Sequence, residues 1–361
     1  MKILMFGSKE YPFGISSRFD KKAGGGIEVH VEKLAKYLSK NGHHVYIITR
    51  RFPGQKKEEH IGKIHIYRVR FLYNRYLRTF SFNKFSFFKA LKTIKKEKIE
   101  VIHSHGMVAS YFASFLSKFT GRPLVMTPHG TTEEWGLFRL PLKVFEKVSL
   151  CTARKVLFIS RFAQRKMARG HSHTLLTNGI DFDEIQTTKE RTWNKVRFGF
   201  IGRLEEVKGI LTAIESFKCL PKDRCEFYIA GEGPLKEKVL ESIKGHRNIR
   251  FLGWSNPASF FQQIDCFVLP SKEKGQPFSI LEAMAYQKTI ISSLEYIENG
   301  KTGILTKTNT ETLTKDMLYA MNNFKECSRL GKNAQKQAKA LDWDIVIKRF
   351  IEEYQGVIKH I

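Results

Sequence analysis

Short apolar runs alternate with segments of helical periodicity along most of this chain. Residues 2–6, KILMF, predict a buried strand, and within residues 27–40 the apolar positions 31, 34, 35 and 38 recur at helical spacing. Later runs continue the alternation: IEVIHSH, MVASYFASFLSKF, PLVMTPHG, KVLFIS, VRFGFIG, EFYIAGEG, NIRFLGW, DCFVLPS and TIISS. This order predicts an α/β protein with parallel, doubly wound sheets that helices cover on both faces.

The alternation pauses once, at residues 182–194, which are polar and lack a clear period. We therefore place an interdomain linker there, between a first domain at residues 1–181 and a second at residues 195–343. Each domain is long enough to hold its own core. Residues 344–361 are predicted to form a final helix.

Positive charge is concentrated in the first half of the chain. The sequence has 62 Lys and Arg against 35 Asp and Glu, a net charge of +27, and residues 1–180 contain 34 of the basic and 11 of the acidic residues. Such a surface attracts anionic partners: anionic lipid, a phosphorylated lipid acceptor or nucleic acid. Because no nucleic-acid-binding motif accompanies the charge, nucleic acid is not expected as a partner.

The rest of the composition excludes other classes of protein. The five cysteines form no CxxC pair, which argues against a disulfide framework and against a zinc site. No apolar run has transmembrane length, and residues 1–7 are too short for the core of a signal peptide. We therefore expect a cytoplasmic protein.

Turns that follow strands are where doubly wound sheets bind ligands. Gly24, Gly25 and Gly26 precede the first predicted helix, and glycines let backbone N–H groups approach a phosphate closely. A glycine triplet is a weak motif, however, and a flexible loop without a ligand explains it equally well.

The second domain offers two such turns. In GFIGRLEEVKG, Arg203 and Lys208 can face one point and stabilise a leaving diphosphate, although a solvated basic loop gives the same pattern. In residues 269–285, a helix that begins near Phe278 would direct the N–H groups of its first turn at an anion, and Glu282 could bind a ribose diol. The N–H groups belong to Ser279, Ile280 and Leu281. Glu282 could also simply complement the helix dipole.

An ordered set of short strings covers nearly the whole chain and resembles the retaining glycosyltransferases of family four, the group 1 glycosyl transferases. The strings are GGGIEVHVEKLAKYLSKNGHHV, VIHSH, TPHG, LFIS, TNGID, FIGRLEEVKG, YIAGEGP, IRFLGW, VLPS, LEAMA and ENGKTGIL. The resemblance implies the GT-B fold, in which two Rossmann-like domains face each other across a cleft and the last helix, here residues 344–361, packs back on the first domain. It implies a hexosyltransferase that retains anomeric configuration and takes its sugar from a nucleotide-sugar.

The resemblance also implies roles for individual residues. His129 would face the donor sugar, Arg203 and Lys208 would hold the diphosphate, and these three would be catalytic. Gly25 and Gly26 would lie near the donor phosphate and the acceptor, and Glu282 would bind the nucleotide ribose. No cofactor and no metal are expected, because the two cations replace the metal. We interpret His103 and His105 as structural, or at most as lining the acceptor side.

One loop system departs from the family pattern. Lys274 stands where the family has a glutamate that contacts the sugar, with Glu273 adjacent, and the segment before Glu295 is short and lacks the usual glycines. A lysine can only donate hydrogen bonds to sugar hydroxyls. Nucleotide binding is therefore expected to survive better than sugar transfer.

Residues 63–98 combine eleven Lys or Arg with nine aromatic residues and a single acid, Glu97. Rings of this kind enter the headgroup region of a bilayer while the cations meet anionic lipid. We predict that this segment holds the protein peripherally at the inner face of the cell membrane. The alternative is that the rings pack inward and the cations form a solvated face.

Two functions remain open from the sequence. The first is a transferase that acts on a glycan or lipid-linked acceptor in the synthesis of cell-surface polysaccharide or glycolipid. The second is a catalytically impaired GT-B protein that serves as a binding or partner subunit, which the altered loop at Lys274 and before Glu295 would favour.

Overall fold

The apolar runs of the first half of the chain form the strands of one sheet. The structure, a computed structural model, describes residues 1–12, 25–74, 77–130, 139–185, 195–272 and 275–359. The strands are β1 (Lys2–Phe6), β2 (His44–Arg50), β3 (Glu58–Ile61), β4 (Ile64–Val69), β5 (Val101–His105), β6 (Leu124–Thr127), β7 (Lys155–Phe158) and β8 (His173–Leu175). They lie in the order β3-β4-β2-β1-β5-β6-β7-β8.

Helices connect these strands and cover the sheet. They are α1 (Gly26–Lys40), α2 (Arg78–Glu97), α3 (Met107–Thr120), α4 (Arg139–Thr152) and α5 (Arg161–Met167). α1 buries Val31, Leu34, Ala35 and Leu38, as the helical spacing predicts. Among the described helices of the whole chain, none combines the length and the apolarity that a membrane span requires.

The edge of this sheet departs from the predicted parallel order. β3 pairs with β4 antiparallel, with Ile61 opposite Ile64, because the two strands are joined by a tight turn at Gly62 and Lys63. β3 is largely exposed, so it has no apolar run by which it could be recognised in the sequence. Residues 78–97, for which no regular element was predicted, form α2.

The second half of the chain repeats the architecture with six strands. They are β9 (Val196–Ile201), β10 (Cys225–Ala230), β11 (Ile249–Gly253), β12 (Cys266–Leu269), β13 (Thr289–Ser292) and β14 (Ile304–Leu305), in the order β11-β10-β9-β12-β13-β14. The neighbouring strands pair in parallel. The helices are α6 (Ile210–Lys218), α7 (Lys236–Ile243), α8 (Pro257–Gln263), α9 (Phe278–Ala285), α10 (Thr310–Asn322) and α11 (Phe324–Lys339).

The last helix of the chain is α12 (Trp343–Lys359). One compact unit comprises Met1–Asn178 and Asp344–Ile361, and the other comprises Gly179–Trp343. The first unit therefore takes in the C-terminal segment, and its main part ends at Asn178 rather than at residue 181. Phe182–Glu184 forms a 3₁₀ turn within the second unit. Residues 186–194 of the predicted linker lie outside the described residues.

Each sheet contains one point at which the strand order reverses. In the first unit this point lies between β1 and β5, and in the second it lies between β9 and β12. Connections leave the two neighbouring strands in opposite directions there, which opens a crevice beyond their carboxyl ends where doubly wound proteins bind ligands. The turns singled out from the sequence follow these strands.

Candidate active site

Four histidines meet beyond the carboxyl ends of β5 and β6 in the first unit. His103 lies within β5 and His105 ends it, His129 follows β6, and His30 comes from the first turns of α1. The ring centroid of His30 lies 5.4 Å from that of His105 and 5.0 Å from that of His129. The ring centroid of His103 lies 4.1 Å from that of His105, and the two rings are tilted at 47° to each other. Strands and a helix therefore converge on one cluster of imidazoles.

Hydrogen bonds fix the orientation of each ring. His30 Nδ1 lies 2.7 Å from Asn178 Oδ1, and His105 Nδ1 lies 3.2 Å from His129 Nε2. His103 Nε2 is 2.9 Å from the Thr127 hydroxyl. The Tyr354 hydroxyl of α12 lies 2.7 Å from the other ring nitrogen of His103. His103 is thus a buried structural residue that ties α12 to the sheet, as the sequence interpretation proposed.

Burial keeps the imidazoles neutral. It lowers the pKa of His30 to about 4, because the charged ring would lose its hydration while Asn178 offers only partial compensation. The pKa of His105 and that of His129 are also held well below the ordinary value by burial and then by the neighbouring histidines. At neutral pH this cluster therefore offers hydrogen-bond donors and acceptors rather than positive charge.

His129 has an unusual backbone. Its φ is +57°, in the left-handed region that few residues other than glycine occupy. The residue as a whole is partly exposed, whereas His30 and His105 are buried. Strained backbone of this kind concentrates at functional sites, where the surroundings hold a side chain in one direction. His129 is the member of the cluster that a ligand can reach.

His30, His105 and His129 could also hold a metal ion, since each offers a ring nitrogen and these atoms lie within 4.8 Å of one another. Zinc binds histidine nitrogens at about 2.0–2.1 Å in tetrahedral geometry, which brings ligand atoms to roughly 3.5 Å from one another. His105 Nδ1 and His129 Nε2 already lie 3.2 Å apart, so these two atoms could bind one ion only if the hydrogen bond between them opened.

The glycine loop leads into α1. Gly25 is the N-cap residue, with extended backbone, and its carbonyl accepts hydrogen bonds from the N–H groups of Glu28 and Val29. Among the described residues, a Cβ atom built on Gly26 would meet nothing within 4 Å, and one on Gly25 would meet only Glu28 Oε2 at 3.8 Å. Packing within the described residues therefore does not require glycine at either position. Gly24 lies outside the described residues.

The predicted cation loop of the second unit runs from the end of β9 to α6. Arg203 Nε lies 2.9 Å from Glu205 Oε1, and both side chains are about one third exposed, at 39% and 31%. Lys208 closes a 3₁₀ turn over Glu206–Lys208 and is partly exposed. The Arg203 guanidinium is accessible, and its ion pair with Glu205 lies at the protein surface, where a ligand could replace it.

This loop is bound to the turn that follows β12. The N–H of Lys272 donates to the Val207 carbonyl at 2.7 Å, and the Ser271 hydroxyl donates to the same oxygen at 3.1 Å. Gly209 allows this approach, because its φ is +72° and a Cβ atom on it would lie 2.2 Å from the Pro270 carbonyl oxygen. Two turns that are more than sixty residues apart in sequence are thereby joined at the switch point between β9 and β12.

α9 begins at Phe278, as predicted, with Pro277 as its N-cap residue. The side chains of Ile280 and Leu281 are buried in the core of the second unit, whereas Ser279 and Glu282 are partly exposed. The prediction that the N–H of Ile280 points at an anion is wrong for this structure, because that N–H donates to the Pro277 carbonyl at 3.1 Å. The first hydrogen bond of α9 is therefore of the 3₁₀ type.

The departures from the family pattern are only partly visible. Glu273 and Lys274 lie outside the described residues. The Ser293 hydroxyl donates to the Ser271 carbonyl at 2.6 Å, and the Leu294 side chain is buried. The short segment after β13 is therefore packed against the turn after β12 by side chains, at the place where the family has glycines.

Two contributors to these sites were missed in the sequence. His30 lies on the apolar face of α1, one residue before Val31 and four before Leu34, and a polar ring on that face is the signal that could have revealed it. Glu205 follows Arg203 in the same loop, and its pairing with Arg203 depends on side-chain geometry that no spacing predicts.

The two halves of the chain match two sequence families. Residues 24–184 match Glycosyltransferase Family 4, and residues 195–323 match Glycosyl transferases group 1. A glycosyltransferase of Methanocaldococcus jannaschii is 24% identical over 342 residues, covering 89% of this chain and 91% of that protein. The phosphatidylinositol N-acetylglucosaminyltransferase GPI3 subunit of Saccharomyces cerevisiae is 23% identical, covering 92% of this chain and 80% of its own.

A shorter match has higher identity. The N,N'-diacetylbacillosaminyl-diphospho-undecaprenol alpha-1,3-N-acetylgalactosaminyltransferase of Campylobacter jejuni is 33% identical over 164 residues, 43% of each chain. Among solved structures, sucrose-phosphate synthase from Thermosynechococcus elongatus superimposes with a TM-score of 0.83 at 17% identity, covering 100% of this chain and 99% of its own. Anabaena HepE in complex with UDP and glucose superimposes with a TM-score of 0.78 at 18% identity, covering 99% of this chain and 100% of its own. The fold is GT-B, which confirms the sequence prediction.

Proposed function

Because this chain belongs to the family-4 glycosyltransferases of group 1, we propose that it transfers a hexose from a nucleotide-diphosphate sugar to a glycan or lipid-linked acceptor with retention of anomeric configuration. Two of its relatives are named for acceptors that contain undecaprenyl diphosphate or phosphatidylinositol. An acceptor of that chemistry suits a chain with a net charge of +27. The proposed process is the synthesis of a cell-surface polysaccharide or glycolipid, on the cytoplasmic side of the membrane.

The observation that carries this proposal is the joined pair of turns at the switch point of the second unit. Arg203 and Lys208 lie on the turn after β9, and the turn after β12 is hydrogen-bonded to it through Val207. A nucleotide diphosphate that enters beyond β9 and β12 meets both turns at once. The site therefore combines two cations with the start of α9 and the carboxylate of Glu282.

Electrostatic stabilisation is the chemical work these residues can do. When the bond between the sugar and the diphosphate breaks, negative charge grows on the leaving phosphate, and fixed cations lower the barrier because they need no reorganisation. Arg203 would exchange its bond to Glu205 for a bidentate bond to phosphate oxygens, and Lys208 would act as a point charge. With two cations in these roles, no metal is needed in the step.

Glu282 of the second unit and His129 of the first have separate proposed roles. Glu282 is partly exposed one turn into α9, where its carboxylate can accept hydrogen bonds from a ribose diol. His129 is neutral and held by His105, so it can exchange a hydrogen bond with a sugar hydroxyl without adding charge. Among the described residues, packing does not require glycine at Gly25 or Gly26, which would suit the approach of a phosphate or an acceptor to the start of α1.

Arg203→Ala and Lys208→Ala test the proposal. A thermal-shift screen across nucleotide sugars first identifies the donor, and release of its nucleoside diphosphate is then followed in the presence of EDTA. We expect each variant to lose about 10²–10³-fold in kcat, the loss typical of one charge-stabilising donor, with an unchanged melting temperature. Lys238→Ala, an exposed lysine on α7, is the control. Full activity of either variant would remove that residue from the mechanism.

A second candidate function is a nucleotide-binding subunit with little transferase activity. The buried Leu294 and the bond from Ser293 to Ser271 favour it, because side chains fill the place where family members have glycines near the sugar. The free nucleoside diphosphate would then stabilise the chain as strongly as the nucleotide sugar does, and turnover would be weak. Lys274→Glu should restore part of the activity, and the missing loop should restore more. Robust turnover by the unaltered chain would exclude this candidate.

A further inference from the structure

One face of the first unit exposes aromatic rings next to lysines. α2 presents Phe80 at 55%, Phe85 at 44% and Phe88 at 60% exposure, and Phe119 near the end of α3 is 71% exposed. The residues before α2 extend the apolar surface, with Leu72, Tyr73 and Leu77 each at least half exposed. Large rings in this number at one surface mark a binding face rather than scattered exposure.

Phe80, Phe88 and Phe119 each contact a partly buried ring. Phe80 contacts Phe112 of α3 with 5.6 Å between ring centroids. Phe87 bridges Phe88 and Phe119, at 5.6 Å and 6.3 Å. The face is therefore continuous across α2 and α3, and we call these two helical surfaces the α2–α3 face.

Other rings of the same segment pack inward, as the alternative interpretation of the sequence proposed for all of them. Phe71 and Phe82 are buried and lie on the Arg50 guanidinium, with its central carbon 5.2 Å and 5.1 Å from their centroids. Tyr67 is buried beneath Lys89. The structure thus divides the aromatic residues into a core set and an exposed set, and Tyr76 lies outside the described residues.

Lysines share the exposed side of α2. Phe80, Lys84, Phe88 and Lys95 are separated by four, four and seven residues, which places them on one helical face. Lys84, Lys92 and Lys95 are exposed, as is Lys118 of α3. From residue 63 to residue 96 the sequence contains no acid. The face is therefore apolar and cationic at once.

This combination fits a lipid surface better than a protein. Lysine is depleted at the centres of protein–protein interfaces, where its desolvation is costly. A second copy of the chain would bring the same cations against these ones, so self-association through this face is opposed by charge. An anionic bilayer instead lets rings enter the headgroup region while each lysine stays beside a phosphate.

We propose that the α2–α3 face docks on an anionic bilayer, with Phe80, Phe88 and Phe119 entering the headgroup region and Lys84, Lys92 and Lys95 contacting lipid phosphates. The helices lie on the membrane surface. This docking does not depend on the proposed sugar transfer, because it requires neither the nucleotide nor the switch-point residues of either unit.

The test is sedimentation of the full chain with vesicles of phosphatidylcholine alone or of phosphatidylcholine with phosphatidylglycerol. We expect binding to the anionic vesicles only, falling as salt is raised. The triple change Lys84→Gln, Lys92→Gln and Lys95→Gln should weaken it roughly 100-fold, at about a factor of five per lysine. Its matched control removes three exposed lysines from α11 by Lys325→Gln, Lys336→Gln and Lys339→Gln, and should bind as the unaltered chain does.

A second set of variants isolates the rings. Phe80→Ser, Phe88→Ser and Phe119→Ser together should abolish the binding that persists at high salt, while Trp254→Ser, a 69% exposed ring of the second unit, should leave it unchanged. Melting curves establish that each variant is folded. Equal binding to neutral and anionic vesicles, equal loss in the α11 control, or dimerisation that the ring variants abolish in place of vesicle binding would overturn the proposal. A chain that binds vesicles but transfers no sugar would overturn only the proposed function.

Discussion

Gly209 controls how closely the two phosphate-facing turns approach each other, and Gly209→Ala is predicted to damage nucleotide binding although residue 209 carries no functional group. A Cβ atom at this position would lie 2.2 Å from the Pro270 carbonyl oxygen, so the turns must separate by about 1 Å to reach ordinary contact. The backbone also has a φ of +72°, which costs alanine about 1–2 kcal/mol.

Gly245→Ala provides the matched control. Gly245 has a φ of +81° after α7, and a Cβ atom there would meet nothing within 4 Å in the part of the chain that the structure describes. Both variants therefore carry the same backbone penalty, and Gly209→Ala carries in addition an overpacking cost of about 1–3 kcal/mol. The difference between the two free energies of unfolding, measured by urea denaturation, isolates the contact with Pro270.

Binding of the nucleoside diphosphate gives the functional comparison. Displacing the turn that carries Arg203 and Lys208 should forfeit a hydrogen bond to a charged phosphate, worth about 1.5–3 kcal/mol, so the dissociation constant should rise roughly 10–100-fold. Gly245→Ala should leave it unchanged in titration calorimetry. Equal destabilisation by the two substitutions, or unchanged affinity in Gly209→Ala, would refute the view that this close approach builds the phosphate site.

Two further predictions concern single side chains. Glu282→Ala should raise the dissociation constant for the free nucleotide more than it lowers kcat, with Glu237→Ala as the control, and equal affinities in binding titrations would count against a ribose role. Because the pKa of His30 is about 4 in the folded chain and near 6.5 when exposed, the unfolded chain binds more protons between these values, so the stability of the first unit should fall as pH is lowered from 6.5 to 4. Burial also lowers the pKa of His105 and of His129, so His30→Asn, which keeps a donor for Asn178 but cannot titrate, should reduce the slope of that profile in thermal melts without abolishing it. An unchanged slope would assign the profile to other groups.

Much of the fold could be predicted because buried parallel strands appear in the sequence as continuous apolar runs. Runs such as KILMF and VRFGFIG are apolar on both faces, and they form β1 and β9 as expected. The antiparallel hairpin of β3 and β4 was not predicted, because β3 is exposed and carries no such run. Sequence patterns therefore identify strands that are fully buried. They miss strands at sheet edges, because an exposed strand does not require apolar residues.

The candidate site was predictable in location and less so in detail. Turns after β9 and β12 could be identified because ligands bind at the ends of such strands, but the bond from Ile280 to Pro277 depends on how tightly α9 begins. The aromatic segment shows the same limit. Phe82 and Phe85 are equally apolar in sequence, yet one is 2% and the other 44% exposed, since Phe82 packs with Phe52 and Phe71 and lies on the Arg50 guanidinium.

The place of α12 has a consequence for how the protein folds during its synthesis. Asp344–Ile361 belongs to the first unit, and Tyr354 caps the buried His103 there, so the first unit lacks an integral helix until the end of the chain emerges. At 5–20 residues per second, synthesis of the intervening second unit takes on the order of 10–30 s. During that time the second unit can complete its core, whereas the first must wait with part of its sheet uncovered. The N-terminal half of the sequence is thus synthesised first but completes its folding last.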